Sequence, residues 1–331
     1  MSDPRAVVRR AIEASLADLG NDERVIVAVS GGADSLALAR GVADLGRPAT
    51  AVIVDHGLQA DSASTAERAA EACRALGFAD VRVIAVQVSL GPGTGGLEAA
   101  ARRERRAALE SVAQELGAPA VLLGHTREDQ AETVLLRLAR GSGARSLSGM
   151  STRSGLWRRP LLDLPRRMVR ASVSDLEPWS DPHNDDERFA RVRVRHSALP
   201  AVVDAVGPAA VDGLARSAAL LRDDADALDE WARTAFQEAQ SVDGGFIVAA
   251  LEALPRAVRT RILRTAAIEA GCPPTDLTAA HVDGLDALIT RWHGQGAIDL
   301  PGGVAGRREY GRLVLARIPP VAMRRQQREE T

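Results

Sequence analysis

Val25-Ile26-Val27-Ala28-Val29-Ser30-Gly31-Gly32-Ala33-Asp34-Ser35 is the stretch that decides how this chain is read. Val25 to Val29 is a continuous apolar run with no polar alternation, as a strand covered on both faces requires. Two glycines follow, which let the backbone turn sharply and approach an anion closely. A helix pattern then runs from about Asp34 to Leu45. The N–H groups of such a turn, with the start of the following helix, form a nest for phosphate oxygens. Ser30 and Ser35 add hydroxyl donors. Phosphate binding is therefore expected of Ser30, Gly31, Gly32, Ala33, Asp34 and Ser35.

The same alternation continues outward. Thr50 to Asp55 (TAVIVD) reads as a second strand and Ser64 to Leu76 as its helix. Val81 to Val88 (VRVIAVQV) is a third strand, followed by a helix from Leu97 to Leu116. Pro119 to Gly124 (PAVLLG) is a fourth, followed by a helix from Arg127 to Arg140. Strand–helix alternation predicts right-handed crossovers and a doubly wound, mainly parallel α/β sheet, with ligands at the carboxyl ends of its strands. Ser89 to Gly96 (SLGPGTGG) reads as a glycine-rich loop over those ends. Gly141 to Pro200 is rich in arginine and proline and has no clear period. Beyond about Gly213 the pattern becomes helical: Leu214 to Gln240, Arg256 to Ala270 and His281 to Arg291. Asp299 to Arg317 reads as turns and short strands. The expected division is a catalytic domain at 1–215 and a smaller, mainly helical domain at 216–331.

Composition narrows the chemistry. At 331 residues, 46% of them hydrophobic and 26% charged, the chain is long enough for two packed domains. There is no lysine, so all 42 basic residues other than histidine are arginine. That excludes a lysine-dependent P-loop, a Schiff-base lysine and a kinase lysine. Cys73 and Cys272 stand far apart, which offers neither a disulfide framework nor a CxxC pair. No apolar run approaches the about 18 residues of a membrane span, so no membrane partner and a cytoplasmic location are expected. A net charge of -2 gives no global attraction to nucleic acid.

Three further segments carry chemistry-bearing residues. Val54-Asp55-His56-Gly57 begins at the end of the second strand, where nucleotide contacts are expected. Gly124-His125-Thr126-Arg127-Glu128-Asp129-Gln130-Ala131-Glu132 follows the fourth strand, so His125 belongs at the same edge. Thr126 and Asp129 have the spacing of a capping box, which gives Asp129 a structural use. Asp129 and Glu132 share one helix face, and two carboxylates at a binding edge suit a divalent metal or an ammonium group. Arg102 and Arg105 share a helix face just after the glycine loop, placed to clamp phosphate or stabilise charge at phosphorus.

The strand–SGGADS–helix unit resembles the PP-loop of the ATP pyrophosphatases, within an adenine nucleotide alpha hydrolase-like domain. SGGADSLAL, VDHGLQADSA, EAAARRERR, GHTREDQAETVLLRLARGSG, RPLL and DPHNDDERFARVRVRHSALP occur in this order. Together they resemble the bacterial tRNA(Ile)-lysidine synthetase family, closely over about residues 20–215 and more loosely beyond. The resemblance implies an ATP-dependent ligase that joins free L-lysine to C2 of the wobble cytidine of a CAU-anticodon tRNA(Ile). It also implies an adenylated intermediate, with pyrophosphate and AMP released. Carried over position by position, Ser30, Gly31, Gly32, Ala33, Asp34 and Ser35 would hold ATP, and Asp34 its magnesium, with Glu128 a second metal candidate. Asp55 and His56 would line the nucleotide pocket. Asp34, Arg105 and His125 would serve catalysis, and Asp129 and Glu132 would receive lysine. A homodimer occurs in the family. Glu128 and Val192 depart from the aspartate and asparagine usual at those positions.

Arginine clusters fit an RNA partner. One comprises Arg153, Arg158, Arg159, Arg166, Arg167 and Arg170; a second comprises Arg188, Arg191, Arg193 and Arg195, of which Arg191, Arg193 and Arg195 are the expected tRNA contacts. With aromatics at 3%, recognition should lean on shape and charge. The alternative is another PP-loop enzyme, a tRNA thiolase or a small-molecule amidotransferase. The thiolase reading lacks a CxxC, and the amidotransferase reading lacks a glutaminase domain. A non-catalytic nucleotide-binding regulator would need neither the GHxxxDQAET helix nor the arginine clusters.

Overall fold

The computed structural model describes residues 3–57, 61–88, 96–141, 143–179, 186 and 188–318. The chain forms two compact units, residues 1–222 and 223–331. Most of the SLGPGTGG loop lies outside the described residues, as do Leu58-Gln59-Ala60 and the last residues of the chain.

In the first unit, β1 (Val25–Val29), β2 (Ala49–Asp55), β3 (Asp80–Ala85) and β4 (Val121–Leu122) pair in parallel. A short antiparallel pair, β5 (Arg153–Ser154) and β6 (Trp157–Arg158), completes a six-stranded sheet in the order β3-β2-β1-β4-β6-β5. Helices α1 (Pro4–Ser15), α2 (Ala33–Ala43), α3 (Ser62–Ala75), α4 (Leu97–Glu115), α5 (Arg127–Leu138), α6 (Ala144–Leu147) and α7 (Arg166–Ala171) join and cover it. Alternate residues of β1 enter opposite layers, as a strand's two-residue period requires. Val25, Val27 and Val29 pack with α1, α2 and α3, whereas Ile26 joins Leu109 and Val112 of α4. The apolar run is thus explained by a core on each side.

The first two crossovers carry the chain from β1 outward to β3, and α4 then returns it to the other side of β1. The strand order reverses between β1 and β4, and the ends of those two strands bound a crevice where ligands of such sheets bind. Gly124, just after β4, makes this edge close. A Cβ there would stand 2.8 Å from the Asp34 carbonyl oxygen and 3.2 Å from the Ser35 Cα, both backbone atoms.

The stretch without clear period resolves into short pieces: α6, β5, β6, α7, α8 (Ala190–Arg193), a π-helical turn (Val194–Ala198) and α9 (Leu199–Val206). The helix α1 was not anticipated, although its signals are present. Asp3 accepts from the Arg5 N–H, Pro4 begins the helix, and Val8 and Ile12 fall on one buried face. α10 (Ala210–Ala239) is the long helix expected near residue 214.

The second unit holds α11 (Val248–Glu252), α12 (Arg256–Glu269) and α13 (Ala279–Thr290) with a four-stranded antiparallel sheet ordered β7-β10-β9-β8. The strands are β7 (Phe246–Ile247), β8 (Ile298–Leu300), β9 (Val304–Glu309) and β10 (Arg312–Arg317). Three of them occupy the stretch read as turns and short strands. Leu263, Leu285, Val304 and Leu313 are fully buried at the centre of this unit. Among the described residues no single helix is long and apolar enough to cross a membrane.

Because backbone atoms meet the missing Gly124 side chain, Gly124→Ala should cost about 1–3 kcal/mol. The midpoint of urea unfolding measures this. A variant as stable as the parent would show that strand and helix are not held so close.

Candidate active site

At the reversal of strand order lies a pocket of about 500 Å³. Its floor is the turn after β1. Gly31 takes φ +81°, a left-handed value that favours glycine, and its carbonyl accepts from the Trp179 N–H at 3.0 Å. Ser35 Oγ accepts from the Ser30 N–H at 3.1 Å and donates to the Gly32 carbonyl at 2.9 Å, so the turn is locked by its own serine. No side chain caps α2, which leaves its first N–H groups for a ligand.

Ser30, Gly32, Ala33, Asp34, Ser35, Asp55, His56, Arg105, His125, Asp129 and Arg195 all line this pocket. Gly31, Glu128, Glu132, Arg191 and Arg193 are not among its lining residues. Gly31 shapes the turn from beneath. Glu128 is engaged elsewhere: its Oε2 accepts from the Arg166 backbone N–H at 2.7 Å, at the start of α7. The pocket also contains Arg170, which the sequence placed in an arginine cluster suited to RNA, and Trp179, which sequence reasoning did not single out.

The acidic face of α5 has a definite structure. Asp129 Oδ2 accepts from the Thr126 N–H at 2.7 Å and its hydroxyl at 2.8 Å, which completes the expected capping box. Asp129 Oδ1 accepts from Arg166, Arg191 and Arg195 at 3.0 to 3.1 Å. Glu132, with its side chain fully buried, takes the same three guanidinium groups at 2.8 to 3.1 Å. Arg191 and Arg195, expected at an RNA surface, turn inward instead. Both approach from the side of α8 and the π-helical turn, four residues apart. Val192 between them is buried, and Arg193 is exposed, donating to the Arg188 carbonyl at 3.0 Å. Arg153 and Arg158 of the other cluster pair with Asp18 at 2.6 and 2.5 Å.

These contacts set the charges. Burial alone would raise the Asp129 carboxyl, but Arg166 and Arg191 and the Thr126 N–H hold it well below the usual carboxylate range. Asp34 moves the other way. Burial raises it, Arg166 opposes, and Asp129 adds repulsion. Arg166 and Arg170 stand 3.7 Å from its oxygens, and the solvent-shielded Oδ1 has no hydrogen-bond partner. A hard oxygen in that situation fits a magnesium ion shared with phosphates, which asks for only one or two carboxylates. Among the described residues no group of three or more His, Cys, Asp or Glu forms a self-sufficient metal centre. His125 is pushed down to about 3 by burial, with Arg191, Arg159 and Arg102 adding to the shift against Asp129. Its imidazole is neutral at pH 7, and its Nδ1 is shielded from solvent with no hydrogen-bond partner.

Removing one charge from the buried cluster leaves guanidinium groups uncompensated. Glu132→Gln should therefore lose about 3 kcal/mol of stability, measured by urea unfolding. An unchanged midpoint would mean that the cluster contributes no stability.

Comparison with known proteins places this geometry. Residues 4–202 match the family model of the PP-loop domain, and residues 247–314 match that of the TilS substrate binding domain. The tRNA(Ile)-lysidine synthase of Thermobifida fusca is 53% identical over 319 residues, 95% of this chain and 98% of that one. The enzyme of the same name from Salinispora tropica is 51% identical over 95% of this chain and 96% of its own. That from Streptomyces coelicolor is 54% identical over 88% and 84%. Among solved structures, the U34-tRNA thiolase NcsA from Methanococcus maripaludis superposes with a TM-score of 0.52 at 19% identity, covering 66% of this chain and 80% of that one. That likeness is one of fold. On the strength of the matched domain and these relatives, the chain belongs to the tRNA(Ile)-lysidine synthase family.

Proposed function

We propose that this protein ligates free L-lysine to C2 of the wobble cytidine of a CAU-anticodon tRNA(Ile), using ATP. The observation that carries the reading is one pocket lined at once by a phosphate-type turn, a neutral histidine and a carboxylate–guanidinium pair. In the first step the cytosine C2 carbonyl oxygen attacks the α-phosphorus, forming an O–P bond as pyrophosphate leaves. In the second, the lysine ε-amine attacks C2 and the C2–O bond breaks, with the oxygen departing on AMP. A carbonyl oxygen is a poor leaving group and a phosphate monoester a good one, which is why ATP is required.

The residues divide this work. Ser30, Gly31, Gly32, Ala33 and Ser35, with the start of α2, receive the phosphates. Asp55 and His56, at the end of β2, border the nucleotide. Arg105 is placed to stabilise charge developing at the α-phosphorus. Asp34 would hold magnesium, which supplies charge neutralisation to the phosphates. His125, uncharged, donates or accepts a hydrogen bond without adding positive charge near an incoming amine. Asp129 and Arg195 lie together at the pocket wall and match the α-ammonium and α-carboxylate of a free amino acid. That arrangement leaves the side-chain amine available to attack. Glu132 sits behind them and fixes the guanidinium groups. Arg191 supports the same pair, and of the three arginines expected to touch tRNA, Arg193 alone is exposed. A cytoplasmic homodimer is part of the same reading.

Mass analysis of the anticodon nucleosides after incubation with ATP, lysine and the transcript tests this directly. The expected product is cytidine plus lysine less water, with AMP release that depends on lysine. Turnover dependent on glutamine or sulfide instead would favour the amidotransferase or thiolase. Asp129→Asn keeps an acceptor for Thr126 but removes the charge. It should raise the KM for lysine by about 10- to 100-fold, the worth of a charge-assisted hydrogen bond, and leave the KM for ATP within about twofold. Equal effects on both would assign Asp129 to metal or folding.

A further inference from the structure

On the side of the first unit around Ser146 to Ser151, guanidinium groups from different elements converge on one short backbone segment. Arg137 Nη1, from α5, donates to the carbonyls of Ser146 and Gly149 at 2.6 and 3.0 Å. Arg159, just after β6, donates to the Ser151 carbonyl at 2.9 Å. Arg222, from α10, donates to the carbonyls of Ser148 and Met150. The acceptors in these bonds are neutral. Arg106 of α4 lies with its guanidinium carbon 4.4 Å from the Trp157 ring centroid. Arg159 is only 7% exposed, and its Nε is shielded with no hydrogen-bond partner.

Positive neighbours act on two of these groups. Arg159 is pushed down to about 10 by its burial and by the charges of Arg102, Arg106 and Arg222. Arg137 is lowered by burial and by Arg140 and Arg222. Like charges held together in this way cost folding energy, and a polyanion would recover it. The group also adjoins the pocket, since Arg106 directly follows the lining residue Arg105 on α4.

We infer that Arg106, Arg137, Arg140, Arg159 and Arg222 form a binding site for the RNA sugar–phosphate backbone beside the nucleotide that enters the pocket. The occupant rests on the function proposed above. Five arginines from four separate segments of the chain, beside a pocket that would receive an RNA base, suit successive phosphodiesters better than one small anion. Arg106 and Arg140 are exposed and reach the backbone, while Arg159 supplies fixed charge beneath. These residues belong to the first unit, whereas the segment matched by the substrate binding domain belongs to the second, so RNA would be held by the catalytic unit as well.

The double variant Arg106→Gln/Arg140→Gln tests it, because both side chains are exposed and neither lines the pocket. Affinity for the transcript is measured by fluorescence anisotropy across a salt series. The variant should bind about tenfold more weakly, and its slope of log affinity against log salt should be shallower by about 1.5, from two lost phosphate contacts. Arg106→Lys/Arg140→Lys should restore the slope, and the thermal midpoint should match the parent. If the glutamine variant keeps the parent's affinity and slope while the parent binds and modifies tRNA, the inference fails alone. If the parent neither binds nor modifies tRNA, the proposed function fails first.

Discussion

Two carboxylates of one helix, Asp129 and Glu132, are buried where water cannot solvate them, and the arrangement of the active pocket follows from how they are compensated. Three guanidinium groups surround the two of them, and for Asp129 they make the charged form the cheaper state. Arg166, Arg191 and Arg195 come from three short pieces of an otherwise irregular stretch. The ion pairs therefore do for that stretch what a hydrophobic face does for a regular helix: they decide where it lies. Because Arg166 also faces Asp34, the start of α2 and the start of α5 are held by a common side chain.

That arrangement yields a pocket of mixed sign. Toward the turn after β1 it presents backbone donors and Arg105. Toward α5 it presents Asp129 beside Arg195. On the proposed function a triphosphate and a zwitterionic amino acid make opposite demands, and the reversal of strand order would let one crevice meet both. The backbone approach at Gly124 keeps the two halves adjacent.

The sequence was informative wherever a local rule sufficed. Val25 to Val29 signalled a strand buried on both faces, Gly31-Gly32 signalled the turn, and the spacing of Thr126 and Asp129 signalled the capping box. Each depends on residues within one turn or one strand. Arginine identity gave charge but not direction. Arg191 and Arg195 look from sequence like a basic surface, yet they point at acids far away along the chain. Arg166 and Arg170 lie in a stretch with no period, so nothing in their spacing named Asp34 as a neighbour. Glu128 reads from the sequence as a second metal candidate after Asp34, and only the position of α7 shows its carboxylate occupied by a backbone N–H. The helix α1 is legible from Asp3-Pro4 with Val8 and Ile12. The sheet of the second unit was visible only as turns and short strands because its pairing is made between distant segments.

Glu128 and Asp129 give α5 a further property. Neighbouring carboxylates grip the starts of two helices, α7 and α5 itself. Neither helix can slip along its axis without pulling a backbone N–H off an acid. The pair therefore ties the start of α7 to the start of α5.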